Sequence, residues 1–151
     1  MKRGVDYIGV GIGAVIINRE GKVFLEFRGK KARNEKAKWA CPGGGLEFGE
    51  SMKDSIVREM KEEYGFEIEP LEQMDAIDHI IPKEKQHWIA IGYLCKVKRG
   101  TPKILEPEKC EKIGWFTIEE MAKMPLAIPT KHRLMGLRKK YLGKLKKLYL
   151  Q

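Results

Sequence analysis

Two apolar runs open the chain, at residues 7–17 and 23–28, both rich in Val, Ile and Phe. The polar stretch Asn18-Arg19-Glu20-Gly21-Lys22 between them predicts a hairpin with a slightly long turn. Residues 29–38 are polar and basic and predict a surface loop. Trp39-Ala40-Cys41-Pro42 then reads as a short apolar strand, broken by Gly43-Gly44-Gly45. Residues 51–64 lack Gly and Pro and are rich in helix formers. Ser51 is a suitable N-cap, Asp54 three residues on makes an approximate capping box, and Gly65 is a natural stop. Val57, Met60 and Tyr64 fall at i, i+3 and i+7 and predict the buried stripe of this helix. Residues 66–81 and 87–98 predict strands around a turn at 82–86, and residues 113–117 a further short strand. A short helix at 118–124, a loop marked by Pro125 and Pro129, and a final helix at 130–149 complete the pattern. This succession predicts an α+β fold with a mixed sheet packed between helices. No internal repeat, low-complexity tract or linker interrupts it, so residues 1–151 read as one domain.

Composition narrows the class. The 151 residues are 42% hydrophobic and 34% charged, which describes a globular chain and excludes a wholly disordered one. No apolar run approaches the roughly 20 residues of a membrane span. Lys2 and Arg3 before the first apolar run resemble the start of a signal peptide. That run, however, is β-branched and Gly-rich, follows Asp6 and ends without a small-x-small cleavage site, so a cytoplasmic protein is expected. Cys41, Cys95 and Cys110 are odd in number and widely spaced, which argues against a zinc knuckle or a disulfide framework. The net charge of +9 is concentrated at one end: residues 131–150 carry eight Lys or Arg and no acid, leaving 22 basic residues against 21 acidic ones elsewhere. The basic balance therefore belongs to the tail, and does not by itself argue for a nucleic-acid-binding body.

The candidate chemistry lies between Gly44 and Phe66. At 100° per residue, Glu59, Glu62 and Glu63 fall within an arc of about 100°, beside the apolar stripe rather than under it. Like charges at i, i+4 cost roughly 0.2–0.5 kcal/mol on an exposed helix. A hard divalent cation removes that repulsion, and carboxylate oxygens are the ligands Mg²⁺ favours. Arg58 is placed to pair with Glu50 and hold the loop against the helix start. Gly43, Gly44 and Gly45 let backbone groups approach a polyphosphate or a metal with no Cβ in the way.

The segment reads Gly44, five residues, Glu50, seven residues, then Arg58-Glu59-Met60-Lys61-Glu62-Glu63-Tyr64-Gly65-Phe66. It resembles the Nudix box, G-x5-E-x7-R-E-U-x-E-E-x-G-U with U a bulky apolar residue, at every fixed position, with Met60 and Phe66 at the apolar ones. Trp39 to Gly44 resembles the strand leading into that box, and Glu106-Pro107-Glu108-Lys109-Cys110-Glu111 with Trp115-Phe116 resembles a downstream segment of MutT-like nucleoside-triphosphate pyrophosphatases. The resemblance implies a Nudix-like α/β/α sandwich and Mg²⁺- or Mn²⁺-dependent hydrolysis of a nucleoside diphosphate linked to another group. It further implies Glu59 and Glu63 as main metal ligands, Glu62 completing the metal shell, and the Gly44 carbonyl as a further ligand. Arg58 and Glu50 would orient the others, and Gly65 would end the helix. The general base would be Glu59 or a downstream acid, Glu111 in preference to Glu108.

The substrate is less fixed. The segment at 106–111 points to a nucleoside triphosphate cleaved to monophosphate and pyrophosphate. The alternative is ADP-ribose or another sugar nucleotide, for which Pro82 is a slight pointer. Gly43, Gly45 and Glu108 are candidate substrate contacts. Trp39, His79, His87 and Trp88 are candidates to stack a base, though each reads more readily as a core or strand-face residue. The basic residues of 28–38 are candidates to meet phosphates. Gly9 to Ala14 fits G-x-G-x-x-A, but the β-branched run continues to Ile17 and leaves no room for the helix a dinucleotide site needs. A function of another class, an RNA-binding module using the basic final helix, is the weaker reading, because a binder has no need of three clustered glutamates. A nucleotide partner, no membrane, and a monomer or homodimer complete the expectation.

Overall fold

The computed structural model of the chain describes residues 1–141 and Tyr149. Its strands are β1 (Gly9–Ile17), β2 (Val23–Arg28), β3 (Trp39–Ala40), β4 (Gly43–Gly45), β5 (Glu67–Ile81), β6 (Gln86–Arg99) and β7 (Cys110–Phe116). Its α-helices are α1 (Met52–Tyr64), α2 (Ile118–Met121) and α3 (Ile128–Gly136). The strands form one mixed sheet in the order β3-β2-β1-β6-β5, with β4 also pairing with β1 and β7 with β2. The central ladder is parallel, running from Gly9↔Trp88 to Ile17↔Lys96. The neighbours β5 and β6 are antiparallel around a 3-10 turn at Pro82–Glu84. Pro70 lies in β5, the last strand of the order, where its missing N–H breaks no ladder.

Alternation along the strands builds two cores. Val15, Ile17, Val23 and Leu25 face one side, with Met121, Leu126, Leu134 and Leu137 packed over them. Ile12, Ala14, Ile16 and Phe24 face the other, against Ile56, Met60 and Tyr64 of α1. The molecule is therefore an α/β/α sandwich, as the resemblance implied, with α1 on one face and α2 and α3 on the other. Successive side chains of a strand point to opposite faces, and this period of two is what lets β1 and β2 feed both cores.

Several elements differ in detail from the sequence pattern. The buried stripe of α1 is Ile56, Met60 and Tyr64, spaced by four, and Val57 is only partly covered. Ser51 caps α1 by accepting from the Asp54 amide at 3.1 Å, and Gly65 ends it in the left-handed conformation at φ 67°. β7 starts at Cys110 rather than 113, because it pairs with β2 along its whole length across a bulge at Phe27/Arg28. α2 is held to four residues, with a full capping box between Thr117 and Glu120 at its start. α3 begins at Ile128 and gives way to a π-helical turn at Leu137–Tyr141. The rest of the final helix expected at 130–149, Tyr149 aside, lies outside the described residues.

The packing predicts a clear contrast. Ile56→Ala should destabilise the fold by about 2–5 kcal/mol, the usual cost of emptying a fully buried aliphatic site, while Val57→Ala should cost visibly less. Urea unfolding of the two variants checks the register of the helix.

Candidate active site

Burial of Ile56, Met60 and Tyr64 fixes the rotation of α1 and turns Glu59 and Glu63 toward β4. There they line a cavity of about 250 Å³. Glu26 of β2 and Glu106 of the β6–β7 connection add two more carboxylates to it. The same cavity is lined by five cations, Arg3, Arg28, Lys31, Arg33 and Lys109. Gly43, Gly44 and Gly45 also contribute to its lining. Two of these glycines are required by close approach. A Cβ at Gly43 would come within 2.2 Å of the Ile12 carbonyl oxygen, and one at Gly44 within 2.5 Å of Glu59 Oε1. The backbone of Gly44 thus lies directly against the Glu59 carboxylate.

Arg58 organises the start of the helix. Its Nε and Nη2 donate to the two oxygens of Glu50 at 3.0 and 2.9 Å, a bidentate fork. Its Nη1 donates to Glu62 at 3.1 Å and lies 3.2 Å from Glu59. Glu50 in turn accepts from the Glu47 amide at 3.0 Å, so the loop before α1 closes onto the helix. These bonds hold the Glu50 carboxyl at about 2, well below its ordinary value, and raise the affinity of Arg58 for its proton.

Electrostatics inside the cavity run the other way. Burial, then the neighbouring Glu26 and Glu59, push the Glu63 carboxyl up to about 9. Burial also raises Glu26, against the pull of Arg28 at 3.5 Å and a hydrogen bond from the Tyr64 hydroxyl. Lys109, 3.0 Å from Glu106, holds its proton more firmly for that contact. A site whose acids resist losing their last protons is one that a cation would complete. Among the described residues no group of three or more His, Cys, Asp or Glu side chains forms a ready-made metal cage. Mg²⁺ does not need one, since it commonly takes one or two carboxylates and fills its shell with water and substrate phosphate. The pair Glu59 and Glu63 beside the Gly44 backbone fits that habit.

Arg28 and Arg33, two of these cations, are held by a network of hydrogen bonds. Arg28 Nε donates to the Asn34 carbonyl at 2.7 Å, Asn34 Nδ2 to Gln86 at 3.2 Å, and Gln86 Nε2 to the Arg33 carbonyl at 2.9 Å. Glu35 meets buried His79 at 2.5 Å and accepts from the Ile128 amide at the start of α3. The 29–38 segment, expected as a solvated loop, is thus clamped to the β5–β6 tip and to α3.

The sequence-derived candidates divide. Glu59, Glu63, Gly43, Gly44 and Gly45 meet at the cavity, and Glu50 and Arg58 brace it. Glu62 does not line it; that side chain is half exposed and bonded to Arg58. Glu108 and Glu111 are exposed and absent from its lining; Glu108 pairs with Lys31 at 3.0 Å. From that segment Glu106 lines the cavity instead. Trp39 packs between Phe27 and Phe116 at ring distances of 5.3 and 5.0 Å, and Trp88 is buried under Arg33, whose guanidinium lies 4.0 Å from the ring centre. Neither offers an open face for stacking a base. Burial pushes the Cys41 thiol up to about 11, which makes it a poor nucleophile. Glu26, Arg3 and Lys109 were not among the candidates. The one legible signal was Glu26 itself, a lone acid inside the apolar run Val23–Arg28.

An α/β/α sandwich that turns the acidic face of one helix to a glycine strand, in a cavity that five cations also line, is suited to act on a pyrophosphate bond. The sequence model of the NUDIX domain matches residues 8–135, and the chain belongs to the Nudix hydrolase family. It is 28% identical over 140 residues to the RNA pyrophosphohydrolase of Orientia tsutsugamushi (strain Boryong), covering 83% of each chain. Among solved structures, it is similar to a MutT NUDIX hydrolase from Burkholderia pseudomallei at 32% identity and a TM-score of 0.78, over 86% of this chain and 98% of that one. It shares its fold with a bifunctional NMN adenylyltransferase/ADP ribose pyrophosphatase from Francisella tularensis, solved with AMP and a Mn ion, at 19% identity and a TM-score of 0.70, over 88% of this chain and 42% of that one.

The Glu50–Arg58 pair carries a pH signature. Because the Glu50 carboxyl is depressed to about 2 from an ordinary 4.5, the pairing contributes fully above pH 4.5 and is lost as the pH falls toward 2. Glu50→Gln should be less stable than the parent at neutral pH and should lose less on acidification through that window. Urea unfolding at a series of pH values tests both halves of the statement.

Proposed function

We propose that the protein is a Mg²⁺-dependent pyrophosphohydrolase, with Mn²⁺ as a substitute, that cleaves a nucleoside 5′-triphosphate to the monophosphate and pyrophosphate. The observation that carries this reading is that Glu59 and Glu63, beside the backbone of Gly44, line one cavity together with Arg28, Lys31 and Arg33. Nudix hydrolases generally use divalent metal ions, and this donor set suits one. Glu59, Glu63 and the Gly44 carbonyl would hold it.

Such an ion, when bound, neutralises phosphate charge and lowers the pKa of a water. The chain supplies the rest. Arg28, Lys31 and Arg33 bind the phosphate oxygens and draw charge from the phosphorus under attack. Arg58 and Glu50 fix the helix start, and Glu62 holds the Arg58 guanidinium from the outer side, so that Glu59 keeps one orientation. Glu106, lining the cavity beside Lys109, is the carboxylate that takes the proton of the attacking water. No covalent intermediate is needed. Residues 1–151 act as one domain in this reading.

The substrate test is a panel incubated with Mg²⁺: common and oxidised nucleoside triphosphates, ADP-ribose, NADH, dinucleoside polyphosphates, capped RNA and 5′-triphosphorylated RNA. The last belongs there because several relatives bear the name RNA pyrophosphohydrolase. Release of pyrophosphate from a triphosphate is expected; turnover of ADP-ribose alone would assign the other substrate class. Chelation with EDTA should stop turnover and added Mg²⁺ restore it. Glu63→Gln should abolish turnover while the circular dichroism spectrum is kept. Loss of a general base costs about 10²- to 10⁴-fold in rate, so Glu106→Gln should fall in that range and Glu111→Gln within about twofold of the parent.

A further inference from the structure

Arg3 lies outside the stretch that matches the family, which begins at residue 8, yet it lines the catalytic cavity. The first residues are built to bring it there. The Lys2 amide donates to Asp6 Oδ2 at 2.5 Å, the Asp6 amide to the Lys2 carbonyl at 2.8 Å, and the Gly4 amide to the Tyr7 carbonyl at 2.7 Å. These bonds close residues 2–7 into a tight turn. The turn is fastened to β6 by the His87 amide, which donates to the Gly4 carbonyl at 2.8 Å. It is also seated on the Trp88 indole between two glycines. A Cβ would come within 2.2 Å of that ring at Gly4 and within 2.5 Å at Gly9. Gly4 moreover sits at φ +80°, which an L side chain rarely adopts.

From this seat the Arg3 guanidinium reaches across to β4. Its Nη1 donates to the Leu46 carbonyl at 2.7 Å, and its plane lies so close to Gly45 that a Cβ there would meet Nη2 at 2.6 Å. Among the described residues Arg3 has no carboxylate partner. It stands near two like charges: loss of surrounding water, then Arg28 and Arg3, weaken the hold of Arg33 on its proton. Arg28 has Glu26 at 3.5 Å, but Arg3 has a backbone carbonyl as its partner, so its positive charge is left for a polyanion to meet. One cavity thus holds both acids suited to a cation and guanidiniums suited to phosphate.

We infer that Arg3 is a specificity-determining contact for the terminal phosphate of the substrate's polyphosphate chain. This rests on the pyrophosphohydrolase reading above and narrows it to substrates with a free polyphosphate end. A terminal phosphate carries up to two negative charges and matches the guanidinium fork, whereas the second ribose of a sugar nucleotide offers neutral hydroxyls.

The test compares binding of imidotriphosphate and imidodiphosphate, the nitrogen-bridged and unhydrolysed analogues of tripolyphosphate and pyrophosphate, to the full chain with Mg²⁺ by calorimetry. The parent should bind the longer analogue at least about tenfold more tightly, and Arg3→Gln should remove most of that advantage, as expected for a lost charge-assisted fork. Arg3→Lys should restore part of it. Lys2→Gln removes the same charge from the same turn without touching the cavity lining and should keep the full advantage. Gly4→Ala, which keeps Arg3 but collides with Trp88, should behave like Arg3→Gln, with thermal melting used to verify that each variant is folded. An unchanged preference for the longer analogue in folded Arg3→Gln would overturn the inference while leaving the hydrolase reading intact. Equal losses in Arg3→Gln and Lys2→Gln would also overturn it, since net charge alone would then explain the effect. Absence of any pyrophosphate release from the parent across the substrate panel would instead strike the hydrolase reading itself.

Discussion

Carboxylates from three separate stretches of chain face one small cavity, and their mutual repulsion is the constraint around which the molecule is arranged. Two unit charges about 5 Å apart repel by roughly 3 kcal/mol in an effective dielectric of about 20. Nothing local in α1 would choose to place Glu59 and Glu63 there. Their placement is secured by Ile56, Met60 and Tyr64, buried in the core on the other side of the helix. The cost is then shared. Burial raises the hold of Glu63 on its proton, the Tyr64 hydroxyl donates to Glu26, and five cations line the same cavity. A fold stabilised by ordinary apolar packing thus holds in place an electrostatic arrangement that is unfavourable on its own.

The same division explains what the sequence made legible. Alternating β-branched residues and the helix caps depend on neighbours a few positions away, so the strands, α1 and its ends could be read directly. The carboxylate spacing in 59–63 is likewise local. Glu26 and Glu106 are not: one lies in β2 and the other in the β6–β7 connection, and only the pairing of β2 with β7 draws these stretches toward the same end of the sheet. Glu111 was preferred because it precedes Trp115-Phe116, but position in a strand does not say which face a side chain takes. There the register with β2 leaves it exposed. The expectation of Val57 in the buried stripe failed for a similar reason, since Ile56 also satisfies a helical period with Met60 and Tyr64 and the sheet decides between them.

Cation placement shows a further level of non-locality. Residues 29–38 have the composition of a solvated loop, and their charge suggests mobility. Yet Asn34, Glu35 and the backbone of Arg33 are held by Gln86, His79 and α3, all distant in sequence. Side chains fixed in this way lose little further freedom when a ligand binds, so more of the interaction energy remains for recognition. Trp88, which resembled a surface for stacking a base, serves as the platform on which this scaffold and the N-terminal turn rest.

The parallel ladder between β1 and β6 has a consequence for biosynthesis. β1 leaves the ribosome well before β6, and its long partner is complete only when Arg99 has been made. Until then an apolar strand waits with one edge open, the kind of surface on which nascent chains stick to one another. Pairing over so great a separation also places the molecule among slow-folding topologies. For the interval between the making of β1 and of β6, this apolar strand is therefore the segment that most needs to be shielded.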